Sequence, residues 1–90
     1  MIVKRRGRRE KFDEKKLYAS IYSACMSVYH DEIKCEKLSE KITNKIKFWI
    51  KAKKIVNSSQ IREKVVAELR KENKKVEFYY AANIPNIKKL

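Results

Sequence analysis

The sequence predicts a mainly α domain of α+β class: a four-helix bundle capped at its N-terminus by a small β-hairpin or three-stranded sheet. Three observations predict it. Apolar residues recur at helical spacing through two long segments and a third, shorter one. The only glycine stands between two short arms of extended-compatible residues. Hydrophobic residues make up 43% of just 90 residues, which suffices for one core and not for two, so residues 1–90 read as one domain.

The opening "IVKRRGRREKF" reads as a hairpin over about residues 2–12 that reverses at Gly7. Arg6 suits a type I′ turn poorly, since that turn favours Asn or Asp there. A type I turn with Gly7 in the left-handed position and a bulge suits it better. Asp13 then caps a first helix, about 13–29, with Glu14 in its first turn. Its apolar stripe is Leu17, Ile21, Ala24, Cys25 and Val28.

A short connection near His30–Lys34 leads to a second helix, about 36–51. It carries Leu38, Ile42, Ile46, Trp49 and Ile50 on one face and lysines on the other. At "KKIVNSSQ" the period breaks. Ile55 and Val56 suit a short strand. Asn57 or Ser58 suits the cap of a third helix, about 58–72, with Asn57 and Gln60 at capping-box spacing and Ile61, Val65 and Leu69 inward. "KENKK" is a polar joint. "VEFYYAANI" supplies a short fourth helix, about 75–84, stopped by Pro85. A hairpin with at most one apolar face must lie on the bundle.

The net charge is 24 − 11 = +13. Such a surface attracts polyanions: nucleic acid, nucleotide phosphates, anionic lipid or an acidic protein. No stretch approaches the roughly 18 uncharged apolar residues a membrane span needs, and no apolar h-region marks a secretory signal. The expected location is cytoplasmic, with no membrane partner. Cys25 and Cys35 lie ten apart without a C-x-x-C motif or a His pair, so no zinc or redox site is expected. They read as two free thiols of a reducing cytoplasm, Cys25 in the core.

Catalytic chemistry finds little footing. His30 is the only histidine and reads as a surface loop residue. A single glycine excludes a nucleophile elbow and a P-loop, whose phosphate cradle needs several. The carboxylates lie among lysines and read as helix-surface pairs. The sequence therefore predicts no enzyme.

Phosphate binding here falls to side-chain cations and a helix N-terminus. Along an extended arm Lys4 and Arg6 share one face, and Val3 and Arg5 the other; Arg8 and Glu10 share a face of the returning arm. Lys15 and Lys16 follow at the start of the first helix. The cations suit a triphosphate. Glu10 or Asp13 offers an acceptor for adenosine, with an apolar slot beside Val3 or Ile21. The same cations also suit a solvated arm or a nucleic-acid contact.

The stretch "VKRRGRREKFDEKKL" resembles the opening signature of the ATP-cone family, through Val3, Lys4, Arg5, Gly7, Arg8, Glu10, Phe12, Asp13, Lys16 and Leu17. "VNSSQI" is similar to the family's Ser/Thr-rich strand-to-helix junction, and "YYAAN" to its Y-x-x-A-A or Y-A-A segment in the last helix. The resemblance spans about residues 2–84. It implies a nucleotide, ATP or dATP with or without Mg2+, between sheet and helices. It implies Val3, Lys4, Arg5, Arg8, Glu10, Asp13, Lys16 and Ser58 as the binding set: Lys4 and Arg5 contact the nucleotide from the first strand, Glu10 and Asp13 take base or ribose, and Lys16 and Ser58 line the pocket. Arg6 departs from the pattern, which has Asp or Asn there, and adds a cation beside the phosphates.

In that family the domain is regulatory, at the N-terminus of ribonucleotide reductases or after the zinc ribbon of a repressor of reductase genes. This chain reads as a cone on its own. The expected function is an ATP/dATP-binding regulatory module acting in trans on a reductase-like enzyme or on transcription, through a protein partner or self-association. The alternative is a small basic nucleic-acid-binding protein with a cone-like fold; a weaker third is an interaction adaptor with a degenerate pocket.

Overall fold

Caps set where the helices begin. In the computed structural model, which describes residues 2–5, 8–53 and 55–83, Asp13 has an extended backbone. Its carboxylate accepts from the Lys15 and Lys16 N–H groups at 3.1 and 3.2 Å. This satisfies donors that the first turn leaves unpaired. Helix α1 runs Glu14–Tyr29. It ends at His30, whose left-handed φ of 53° lets its N–H reach the Met26 carbonyl at 2.9 Å.

Asp31 caps the next helix at once, accepting from the Lys34 N–H at 3.1 Å. Helix α2 is Glu32–Lys51, so it begins four residues before the expected position 36. The cap supports a first turn whose Glu32, Ile33 and Lys34 are exposed, and an exposed turn leaves no apolar period to read. The two-residue corner folds α2 back along α1. Glu14 at the start of α1 meets Lys47 near the end of α2 at 3.1 Å.

Asn57 closes a capping box with Gln60: the Gln60 N–H donates to Asn57 Oδ1 at 2.8 Å, and the Asn57 N–H donates to Gln60 Oε1 at 3.0 Å. Helix α3 follows as Ser58–Glu72. Asn73 ends it and starts α4, Lys74–Ala82, by accepting from the Val76 N–H at 3.1 Å. The Asn73 amide also donates to the Tyr29 hydroxyl at 2.8 Å, which ties this joint to the far end of α1.

The chain is mainly helical. Three strands accompany the helices: β1 Ile2–Arg5, β2 Arg8–Lys11 and β3 Val56–Asn57. The sheet order is β2-β1-β3. β1 pairs antiparallel with β2, Val3 opposite Glu10 and Arg5 opposite Arg8. It pairs parallel with β3, Val3 opposite Val56 and Lys4 opposite Asn57. Parallel neighbours need a long crossover, and the α1–α2 hairpin lies within that connection. The Arg6–Gly7 turn, the Pro85 stop and the tail fall outside the described residues.

The apolar stripes meet in one core: Leu17, Ile21, Ala24 and Cys25 of α1, Cys35, Ile42, Ile46 and Ile50 of α2, Val56, then Ile61, Val65, Leu69, Val76 and Tyr80. Phe12, Val28, Leu38 and Trp49 pack against it, half-buried. One expectation is corrected here. Cys25 and Cys35 are not free thiols but a disulfide, with Cα atoms 5.5 Å apart and both residues fully buried. The tight corner brings together two positions that a linear spacing of ten does not join, and the free-thiol argument for a reducing compartment falls with it.

Candidate functional site

Positive charge is concentrated at one end of the chain. Residues 1–11 hold six cations, Lys4, Arg5, Arg6, Arg8, Arg9 and Lys11, against Glu10 alone: 6 − 1 = +5 of the total +13. The described cations of this set lie on β1 and β2. Because β1 is the central strand, its parallel pairing sets Lys4 beside Asn57, the residue that caps α3. Ser58 is the first residue of α3. A cation-bearing strand therefore runs next to a helix N-terminus, where partial positive charge and unpaired N–H groups accumulate.

Of the eight residues expected to bind, Val3, Lys4, Arg5, Arg8 and Glu10 lie on two paired strands, with Val3 in register with Glu10 and Arg5 with Arg8. The side chains of these five fall outside the described residues. Ser58 follows directly on the register partner of Lys4. Asp13 and Lys16 lie just past β2, at the start of α1. The Asp13 carboxylate oxygen Oδ1 is already engaged by two backbone donors; Lys16 is exposed. Ile21, expected beside an apolar slot, is fully buried and lines no open surface.

A groove of about 480 Å³ runs along α3 from its first turn. It is lined by Ser59, Arg62, Glu63, Val66, Ala67 and Arg70, residues that share one helix face. Its volume falls in the small-molecule range. Half-buried Arg62 donates from Nη2 to Ser59 Oγ at 3.3 Å, and Arg70 pairs with Glu77 of α4 at 3.7 Å. Sequence reasoning did not single out Arg62 and Arg70. The available signal was the Ser59-x-x-Arg62 spacing just inside a capping box, which puts an arginine one turn into the helix beside its first hydroxyls.

Tyr80 joins α4 to α1. Ser20 Oγ donates to the Leu17 carbonyl at 2.7 Å, so it accepts from the Tyr80 hydroxyl at 3.3 Å. Burial pushes the phenol up to about 12, against the opposing pull of that hydrogen bond. Among the described residues, no three His, Cys, Asp or Glu side chains are grouped to hold a metal ion. No described helix is long and apolar enough to cross a membrane.

The family model for the ATP cone domain matches residues 1–83. Neither a curated protein nor a solved structure matches the chain. The match takes in the cationic strands, the capped junction into α3 and the Tyr80 helix together, and on it the chain belongs to the ATP-cone family.

Proposed function

We propose that this chain is a regulatory module that binds ATP or dATP and acts in trans, on an enzyme of the ribonucleotide reductase kind or on transcription. The observation that carries the reading is the register of β1 against β3, which sets Lys4 beside Asn57 and the Ser58 end of α3. A polyphosphate there is held by Lys4, Arg5 and Arg8 together with the helix N-terminus. Glu10 and the second carboxylate oxygen of Asp13 offer acceptors to ribose or base, and Lys16 adds a cation. The α3 groove, where Arg62 bonds Ser59, gives the rest of the nucleotide room. Any Mg2+ would enter with the phosphates whose charge it offsets. The module senses rather than reacts, so its output needs a partner protein or a second copy.

Ligand-linked melting tests this. A ligand bound only by the folded state adds about 2.7 kcal/mol at roughly 100 times its dissociation constant. For a domain of this size each kcal/mol moves the melting temperature by about 4–8 °C. ATP or dATP is therefore expected to raise it by about 10 °C or more, and inorganic triphosphate by much less. Equal stabilisation by ATP, triphosphate and heparin overturns the pocket and leaves a polyanion-binding surface. In that case affinity for a short DNA duplex should also fall steeply with salt.

A further inference from the structure

Cys25 lies four residues before the end of α1, and Cys35 three residues after the start of α2. The His30–Asp31 corner folds one helix on the other, and the Cα separation of 5.5 Å is in the usual range for a bridge. Neither cysteine has exposed surface, and Ile21, Ala24, Ser39 and Ile42 on the same inward faces are buried too. The pair takes no part in the proposed nucleotide site: it stands about 16 Å along α1 from Glu14.

Thiol–disulfide exchange requires an attacking thiolate to reach one sulfur of the bridge. A sulfur with no exposed surface is out of reach while α1 and α2 remain packed. We propose that Cys25–Cys35 is a redox latch on the α1–α2 hairpin, closed by oxidation as the chain folds and opened only when the hairpin itself opens. In closing, the two thiols pass two electrons and two protons to a disulfide-class oxidant such as oxidised glutathione. The Cys25–Cys35 bond forms, the oxidant's S–S bond breaks, and the oxidant leaves as two thiols. In opening, a dithiol attacks one sulfur, forms a mixed disulfide, and closes on itself to leave two protein thiols. The redox state is thereby read as stability, with the nucleotide-binding end left unchanged.

The test uses the full chain, folded in the presence of oxidised glutathione. Dithiothreitol is added in native buffer or in urea, iodoacetamide quenches the exchange, and mass spectrometry counts alkylated cysteines. Reduction in native buffer is expected to be slower by about 100-fold or more, since it waits on local opening, and to slow further when sucrose stabilises the fold. The reduced protein is expected to melt about 10 °C or more below the oxidised one. Cys25→Ala/Cys35→Ala should share the lower melting point and ignore dithiothreitol; should it fail to fold, the reduced wild-type chain gives the same comparison. Equal reduction rates in native buffer and urea, equal melting points of the two redox forms, or two alkylatable cysteines in the oxidatively folded sample would each overturn the latch.

Discussion

Tyr80 is the largest side chain that the core closes over. The sequence placed it only in a short helical stretch; its hydroxyl found a partner because α4 packs on α1 at Ser20. That burial has a pH signature. An unfolded tyrosine ionises near pH 10 and this one near 12. The folded form resists ionisation, so its contribution is whole below pH 10 and is lost as pH rises from there towards 12. The loss is roughly 1.4 kcal/mol per pH unit over that window. Tyr80→Phe should remove this slope in alkaline urea unfolding, at a cost of about 1 kcal/mol at neutral pH for the lost hydrogen bond. If the variant keeps the slope, another group that ionises there, Tyr22 or a lysine, is its cause.

At the scale of elements, the junction β3–α3 joins stability to the proposed site. Asn57 pairs with β1 through its backbone and caps α3 through its side chain. Asn57→Ala should cost about 1 kcal/mol in denaturant unfolding and also weaken ATP binding, because the helix N-terminus frays where phosphate is to bind. Lys4→Ala and Lys51→Ala form a matched pair: each removes one charge, and only Lys4 lies on the central strand. Calorimetry should show a loss of roughly 10- to 150-fold in ATP affinity for Lys4→Ala, the worth of a charge-assisted bond, and little change for Lys51→Ala. Equal losses would point to diffuse attraction. The start of α3 was legible because cap, box and stripe agree at Asn57, Gln60 and Ile61. The start of α2 was not, because Glu32, Ile33 and Lys34 face water.

Across the whole molecule, α2 and α3 are laced by charge. Glu68, nearly buried, faces Lys64 at 3.0 Å, Lys45 at 3.5 Å and Lys71 at 3.8 Å; Glu72 faces Lys41 at 3.0 Å and Lys45 at 3.3 Å. The bond from Lys64 draws the Glu68 carboxyl below the usual range, and that from Lys41 does so for Glu72. A carboxylate lowered in the folded state contributes stability above its unfolded value, near pH 4.3, and loses it as pH falls through the folded value. Acid unfolding should therefore begin below about pH 4.5. Glu68→Gln should flatten that acid limb and cost about 1 kcal/mol at pH 7, a figure kept small because the lysine partners stand partly in water. An unaltered acid limb would show that Glu68 adds nothing to it.

The sequence by itself determined what depends on near neighbours. Leu17, Ile42 and Leu69 announced inward faces because a helix repeats every 3.6 residues, and Asp13 and Asn57 announced starts because a cap acts on N–H groups two or three residues ahead. The crowding of cations into residues 1–11 needed no fold to be seen. The tertiary structure decided what joins distant residues. It set Lys4 beside Asn57, closed Cys25 on Cys35, buried the Ser39 and Thr43 hydroxyls without a side-chain or backbone partner among the described residues, and opened the groove on α3 that brings in Arg62 and Arg70. A local pattern carries no term for which strand lies next to which, or which helix face remains uncovered. Those follow from packing whole elements around one core, and the nucleotide site proposed here is assembled from them.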